Sequence, residues 1–574
     1  NYGQNYNSTT WYSDIPQNGS QYTIISDNYT ANYYVSRSNA ESAYVEGGLP
    51  AVDEYSAPVF WITQGTSSLD VITIVNGLPD RIGQIPFNSG SQALNWVASS
   101  SNYFAVGPDY YAQIDADNLI FCIEGNQVIS YPTTGSTWYD LSGWNLNSST
   151  RNVTLYNSPT FNTNGWFTFD GTDDYGLVGT IPQASSSYVS ITTLVQRGTD
   201  GWNGALFGFG TADTSTQDVY FWGTDASRQF GFNTWNGDSW GFSNSTSTGN
   251  IMDGRWHHLT AIFDRNTITN SSIYVDGVLK SLSQVRGTTL TRTVSGNFGI
   301  GLNGWNTGDQ LFRGNMANMQ MYPKVLTVAE VAQNYYGGPI VTSSLYSMLD
   351  AGNLVSYPKS GTTAYNLTGS LTGSLLNGVG FSQENGGNWT FDGVDDRISF
   401  QSPFGDIDWG TTAFTVMGWI KVDSPNDNDW CLLSSATNSN LIFGTLPYPL
   451  ANQLYVYGLR NSLGSPNNQV FNFFASNVWP NGYYRDTWLH VTLTYNGNGL
   501  SLGNFAIYSN GISRTLGNGG SAGYANANVI QLGRSTYGTG PTEYPNLMVY
   551  NRALTLDEVQ QNYQATKDKF QGNK

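Results

Sequence analysis

Along most of this chain apolar and polar residues alternate with a period of two, in short runs. ITTLV (191–195), IYVDG (273–277), FTVMGWIKV (414–422) and HVTLTY (490–495) are the clearest. Successive side chains of a strand point to opposite faces, so such runs predict strands with one buried side. Clusters of Gly, Asn, Asp and Ser separate them, which is the punctuation of an all-β sandwich. A helical signal is clear in two places. Thr327 with Glu330, and Thr555 with Glu558, form T-x-x-E capping boxes ahead of apolar-periodic stretches. Gly337, Gly338 and Pro339 stop the first of these helices.

The first 115 residues read differently. YTIIS (22–26) and ANYYVS (31–36) predict strands, SQALNWVAS (91–99) predicts a short helix, and 66–77 fits helix or strand equally. The expectation is a small α+β module for attachment or assembly.

The rest is a duplication. GNQVISYPTTGSTWYDLSG, from Gly125, returns as GNLVSYPKSGTTAYNLTG, from Gly352, 227 residues later. WFTFDGTDDYGLVG returns as WTFDGVDDRISF, with Asp173 to Asp395 spaced by 222. GRWHHLTAIFD matches DTWLHVTLTY, Trp256 to Trp488 at 232, and MQMYPKVLTVAEVAQNYY matches LMVYNRALTLDEVQQNYQ, Tyr322 to Tyr550 at 228. Ordered blocks at nearly constant spacing define two domains, 116–338 and 339–574, with the drift absorbed by loops.

The 574 residues include 23 basic and 41 acidic side chains, a net charge of −18. Nucleic acid needs clustered Lys and Arg to displace counterions, and an anionic membrane surface needs the same, so both are excluded as partners. Charged residues are only 11% while aromatics reach 14%, the reverse of a disordered chain. No run is long enough to insert into a membrane. No charged and then apolar leader opens the chain, and its first residue is Asn1 rather than Met, which points to sequence upstream. Cys122 and Cys431 occupy non-equivalent positions and read as buried thiols. Three histidines rule out a His-rich metal site. The sequons at Asn147 and Asn270 are chance matches in an Asn- and Ser-rich chain.

The ordered blocks GN…SYP…G-T, FDG-x-DD, W-x-H-(L/V)-T and the closing Y…LT-x-x-E-V-x-x-NY helix resemble the laminin-G-like branch of the concanavalin A-like lectin/glucanase superfamily. The resemblance covers about 115–336 and 342–564. It implies a mainly β chain: two concanavalin A-like jelly-roll sandwiches behind the N-terminal module. The tandem SYP…WYDLSG style is also similar to virion surface proteins of tailed phages. That implies a tail-fibre, head-fibre or decoration subunit on a virion surface or in an extracellular setting. Its partners would be host-cell-surface polysaccharide and other virion subunits, with homo-oligomerisation, and Ca²⁺ is the candidate cofactor.

The residues carry parts of this. Glycoside hydrolysis needs two carboxyls at a set separation, and neither repeat contains the E-x-D-x-(x)-E strand of laminarinase-type relatives, so no enzyme is expected. His257, His258 and His490 sit in the W-x-H strand as core framework, with no G-x-S-x-G elbow beside them. Asp170, Asp173 and Asp174, and again Asp392, Asp395 and Asp396, put three carboxylates around a glycine. These are hard ligands suited to Ca²⁺, or a turn held by an Asx bond with solvated neighbours. Exposed aromatics ringed by amides and carboxylates suit sugar faces and hydroxyls. The candidates are Trp202, Trp222, Trp235, Asn236, Asp238, Trp240 and Trp305 in the first repeat, and Trp430, Trp479 and Tyr483 in the second, against the alternative that most fill the sandwich cores. Trp138 and Asp140 become Ala364 and Asn366 in the second repeat, so the two domains need not share a ligand. The rival readings are a secreted cellular adhesin or filament subunit built for assembly and, more distantly, a glycoside hydrolase.

Overall fold

The computed structural model describes the strands 22–26, 33–35, 59–63, 68–75 and 78–86, and then 119–127, 130–142, 151–179, 181, 187–199, 204–210, 220–224, 230–234, 239–240, 251–264, 267, 270–281, 284–286, 298–302, 311–401, 412–422, 431–435, 442–444, 453–460, 470–476, 478, 487–499, 501–518, 529–532 and 542–571. The chain divides into two compact units between Tyr335 and Tyr336.

In the N-terminal segment β1 (Tyr22–Ser26), β2 (Tyr33–Val35), β3 (Val59–Thr63), β4 (Ser68–Val75) and β5 (Leu78–Pro86) form an antiparallel sheet in the order β2-β1-β3-β4-β5. The ambiguous stretch 66–77 is therefore strand. Val71, Ile72, Thr73, Ile74 and Val75 are all β-branched, and β4 finds ladder partners on both sides, which together decide against helix. The helix expected at 91–99 lies outside the described residues.

The first sandwich has two sheets. One runs β19 (Val278–Lys280), β18 (Ser272–Val275), β17 (Trp256–Asp264), β12 (Tyr188–Gln196), β22 (Arg313–Tyr322), β10 (Trp166–Asp170), β9 (Thr160–Asn162), with β6 (Phe121–Glu124) also pairing with β22. The other runs β20 (Gln284–Arg286), β16 (Ser239–Trp240), β15 (Phe230–Thr234), β14 (Tyr220–Thr224), β13 (Gly204–Phe209), β21 (Phe298–Ile300), β11 (Tyr175–Val178), β8 (Val153–Tyr156), β7 (Thr137–Trp138). All these pairings are antiparallel. Phe121, Trp138, Phe167, Ile191, Phe207, Leu259, Phe298 and Met319 are among the side chains that fill the space between the sheets.

HVTLTY (490–495) departs from the one-sided burial expected of it, because every residue of its strand is buried, and so are all nine residues of its counterpart β17. Its outer face is covered too. Helix α1 (Val328–Tyr336) and the start of the sandwich close over it, so that Leu119, Cys122, Leu141, Ile262, Tyr274, Tyr322, Leu326 and Val331 form a second, smaller core. Cys122 is buried within it and forms no disulfide among the described residues.

The second sandwich repeats the plan. Its inner core includes Trp389, Phe414, Val416, Leu432, Val491, Tyr495, Tyr544 and Val549. Helix α2 (Leu556–Gln571) supplies Phe570 to an outer cluster with Trp419 and Trp488.

Both helices open as expected. Thr327 N donates to Glu330 Oε2 at 2.6 Å and Glu330 N to Thr327 Oγ1 at 3.3 Å. Thr555 N donates to Glu558 Oε2 at 2.9 Å and Glu558 N to Thr555 Oγ1 at 3.3 Å. Arg552 clamps Glu558 through both carboxylate oxygens at 2.7 Å. Gly337, at φ 74°, ends α1 in the left-handed conformation that suits glycine. Thr555→Ala is expected to cost the second sandwich about 1 kcal/mol and Thr555→Ser far less, read as a fall in the melting temperature of that sandwich by calorimetry.

Candidate functional site

The SYP block that opens each repeat is architectural. In the first, Ser130 Oγ accepts from Glu124 N at 3.0 Å and donates to Tyr139 O at 2.7 Å, while Tyr131 Oη donates to Gly135 O at 2.8 Å. Ser356 and Tyr357 repeat every one of these bonds with Asp350, Tyr365 and Gly361. Asp140 and Asn366 also do one job. Asp140 Oδ1 accepts from Cys122 N and Ser142 N at 2.8 and 2.9 Å, and Asn366 Oδ1 accepts from Met348 N and Thr368 N at 2.9 and 3.2 Å. Burial pushes the Asp140 carboxyl up to about 7, against the pull of those donors and of Arg151. The Trp138-to-Ala364 difference is one of packing as well. Trp138 is fully buried against Phe167, ring centroids 4.7 Å apart, and the residue corresponding to Phe167 in the second sandwich is the larger Trp389. Neither pair marks a ligand difference, contrary to what the sequence comparison allowed.

The histidines are framework. His258 and His490 are buried, and burial lowers them to about 4 and about 3, in His258 against the opposing charge of Asp276. His257 is different. Burial would lower it, but hydrogen bonds to Asp253 (3.0 Å) and Asp276 (2.8 Å), and the charges of both, raise it to about 9. An imidazolium held between two carboxylates has no lone pair to act as a general base near neutral pH. In the second sandwich the corresponding residues are Leu489 and Asn510. Asn510 Oδ1 accepts from His490 N at 3.0 Å, as Asp276 Oδ1 does from His258 N at 2.9 Å.

The two acidic turns match closely. Gly171 and Gly393 turn the chain at φ 75° and 79°. Asp170 Oδ1 accepts from Thr172 N (2.7 Å) and Asp173 N (3.3 Å), and Asp392 Oδ1 accepts from Val394 N (2.8 Å). Asp174 Oδ2 and Asp396 Oδ2 each accept, at 3.0 Å, the main-chain N–H of the first Asp. Asn157 and Asn377 reach across to the Asp173 and Asp395 carbonyls at 2.6 and 2.9 Å. The Asx turn weighed in the sequence is thus present in both repeats. So is the grouping of ligands: in each triad one oxygen from every carboxylate lies within 4.8 Å of the others. Burial, then the neighbouring carboxylates, raises Asp174 and Asp396. Asp396 Oδ1 is buried with no hydrogen-bond partner among the described residues. Uncommitted carboxylate oxygens of this kind are the hard donors that Ca²⁺ takes, so the turns fit that ion.

Of the aromatic candidates, Trp202, Trp235, Trp305, Trp430, Trp479 and Tyr483, with Asn236 and Asp238, lie outside the described residues. Trp222 and Trp240 fall on β14 and β16. Both pair in register with Phe232 of the intervening β15, so the structure brings these two backbones to one row of the sheet.

The sequence reading missed two other aromatics. Tyr156 ends β8 and Tyr175 begins β11; they pair directly across the ladder, and their rings stack with centroids 4.8 Å apart and planes within 12°. Tyr156 is 39% exposed. The period-2 pattern of β8, in which Val153 and Leu155 are buried and Thr154 and Tyr156 exposed, could have flagged it.

A profile of a laminin-G family, described as the concanavalin A-like lectin/glucanases superfamily, matches residues 170–332 and 392–560. No curated protein matches the chain. Among solved structures, the mouse laminin α1 chain, domains LG4-5, aligns at 12% identity over 68% of this chain and 92% of its own, with a TM-score of 0.22. Domain 4 of an extracellular arabinanase from Geobacillus stearothermophilus, in complex with arabinotriose, aligns at 14% identity over 38% of this chain and 98% of its own, with a TM-score of 0.24. A Trypanosoma rangeli sialidase mutant displaying trans-sialidase activity aligns at 14% identity and a TM-score of 0.32, over 49% of this chain and only 42% of the sialidase. The chain belongs to the concanavalin A-like lectin/glucanase superfamily and carries two of its laminin-G-like domains in tandem.

Proposed function

We propose that this chain is a non-enzymatic glycan-binding protein of a virion surface, a fibre or decoration subunit whose sandwiches hold reversibly to host-surface polysaccharide. The observation that carries the reading is the tandem itself. Two sandwiches of a lectin superfamily share the hydrogen bonds of their opening blocks, acidic turns and helix caps, yet differ at Tyr156 and Tyr175, which become Leu376 and Arg397. Weak single sites on such a pair gain strength from simultaneous engagement, and further from oligomer copies. A net charge of −18 on so few ionic groups favours recognition by hydroxyls, amides and rings over ionic attraction.

Catalysis finds little support. Within the triads Asp170, Asp174, Asp392 and Asp396 each accept main-chain N–H donors inside a single turn, and His257 is held protonated, so these groups do not form a general acid facing a nucleophile. Asp170, Asp173 and Asp174, and Asp392, Asp395 and Asp396, are the residues that would hold Ca²⁺, which would offset most of the negative charge of each triad and stiffen its turn.

The test is a binding screen of the full chain against host-cell polysaccharides, displayed at high valency, with and without EDTA. Binding is expected, weakened at least about tenfold by EDTA and restored by Ca²⁺. EDTA-insensitive binding would keep the lectin and reduce the acidic turns to architecture. Absence of binding under every condition would overturn the reading in favour of an assembly role.

A further inference from the structure

We infer that the Tyr156–Tyr175 pair of the first sandwich is a pyranose-stacking subsite; the inference rests on the glycan-binding reading above and places it on named residues. The register around the pair is the starting point. β7 pairs with β8 so that Trp138 faces Val153 and Thr137 faces Thr154. Continued along the strands, with Leu155 N donating to Ser136 O at 2.7 Å, this register sets Gly135 beside Tyr156. On the other flank β11 pairs with β21 so that Gly176 faces Ile300, which sets Gly301 beside Tyr175. The row is therefore glycine, tyrosine, tyrosine, glycine.

Neither flanking position offers a side chain to cover a ring. At Gly135 even an added Cβ would meet nothing within 4 Å. Each tyrosine thus covers one face of the other, and among the described residues neither flanking strand position lays a side chain over the outer face of Tyr156. A sugar ring presents a flat patch of C–H groups of about that size, and aromatic faces attract such polarised hydrogens. Acceptors stand beside the pair. Tyr175 directly follows Asp174, Tyr156 directly precedes Asn157, and Asn157 Nδ2 bonds the Asp173 carbonyl, so the exposed Asp173 carboxylate sits on the same turn.

The fold does not require these rings. The second sandwich keeps the glycine, as Gly361, but has Leu376 and Arg397 where the tyrosines stand, on strands that pair in the same way. An exposed Tyr156 stacked on a half-buried Tyr175 in one domain, and no ring at the same places in the other, set ligand choice apart from scaffold. The ligand class is a neutral or weakly polar pyranoside engaged by its C–H face, with hydroxyls directed to Asp173.

The experiment is saturation-transfer NMR on the full chain, with a mixture of methyl α-glucoside, methyl β-galactoside, methyl α-mannoside and N-acetylglucosamine as probes. Wild type is expected to transfer to at least one of them. Tyr156→Leu with Tyr175→Arg, the residues the second sandwich tolerates at these places, is expected to weaken that signal about tenfold, and Tyr156→Phe with Tyr175→Phe to keep most of it. A Leu/Arg variant that folds and binds as wild type does would remove this subsite while leaving the lectin reading intact. No transfer from the wild type to any probe would overturn this subsite, while the lectin reading is decided by the polysaccharide screen.

Discussion

Trp389→Ala is expected to lower the stability of the second sandwich by about 3–5 kcal/mol, the range for truncating a large buried ring. Trp389 is fully buried at the centre of the inner core, with Tyr357 packed edge-on at 5.8 Å. Calorimetry should therefore show one transition moving far down while that of the first sandwich stays in place. The finer test uses the repeat itself. The first sandwich fills this volume with Trp138 and Phe167, the second with Ala364 and Trp389. Ala364→Trp alone should overpack the site and cost about 1–3 kcal/mol. Combined with Trp389→Phe it recreates the arrangement of the other domain, so the double variant should be more stable than the sum of the singles predicts. A difference below about 0.5 kcal/mol would mean that the two positions do not share one space.

The second large effect separates the sandwiches by pH. His257 has a folded pKa raised to about 9 by Asp253 and Asp276, against an unfolded value near 6.5. A group raised in this way stabilises fully below the unfolded value, and that stability is lost as pH rises towards the folded one. The first sandwich should accordingly lose on the order of 2–3 kcal/mol between pH 6.5 and 9. His490 has the opposite sign. Its folded pKa is depressed by burial to about 3, so its domain keeps stability above pH 6.5 and loses it as pH falls below. His258 adds the same acid-side loss to the first sandwich, where it opposes the contribution of His257. The double variant His257→Leu with Asp276→Asn copies the second sandwich and should abolish the alkaline slope. Thermal melts of both proteins across pH 6–9 check this. Equal slopes would show that the Asp–His–Asp cluster contributes nothing to stability.

What the sequence disclosed, and what it withheld, follows from the range over which each feature is determined. Capping boxes at Thr327 and Thr555 are decided within four residues, and FTVMGWIKV is strand from end to end. The burial of β17 on both faces was hidden because its cover comes from a helix some seventy residues downstream. The shared role of Asp140 and Asn366 was read as a difference because a carboxylate and an amide look unlike in sequence, yet each offers the oxygen that two main-chain N–H groups need. Tyr156 and Tyr175 went unnoticed because only the ladder register brings them together.

β6, which opens the first sandwich, pairs with β22, and Leu345–Asp350 pairs with Asn546–Tyr550 in the second. Each opening strand must therefore wait for a partner that is roughly 200 residues behind it, on the order of 10–40 s of synthesis at about 5–20 residues per second. Neither domain can shut strand by strand as it leaves the ribosome. The first can close while the second is still being made, so two similar chains that could exchange strands are kept apart by the order of their birth.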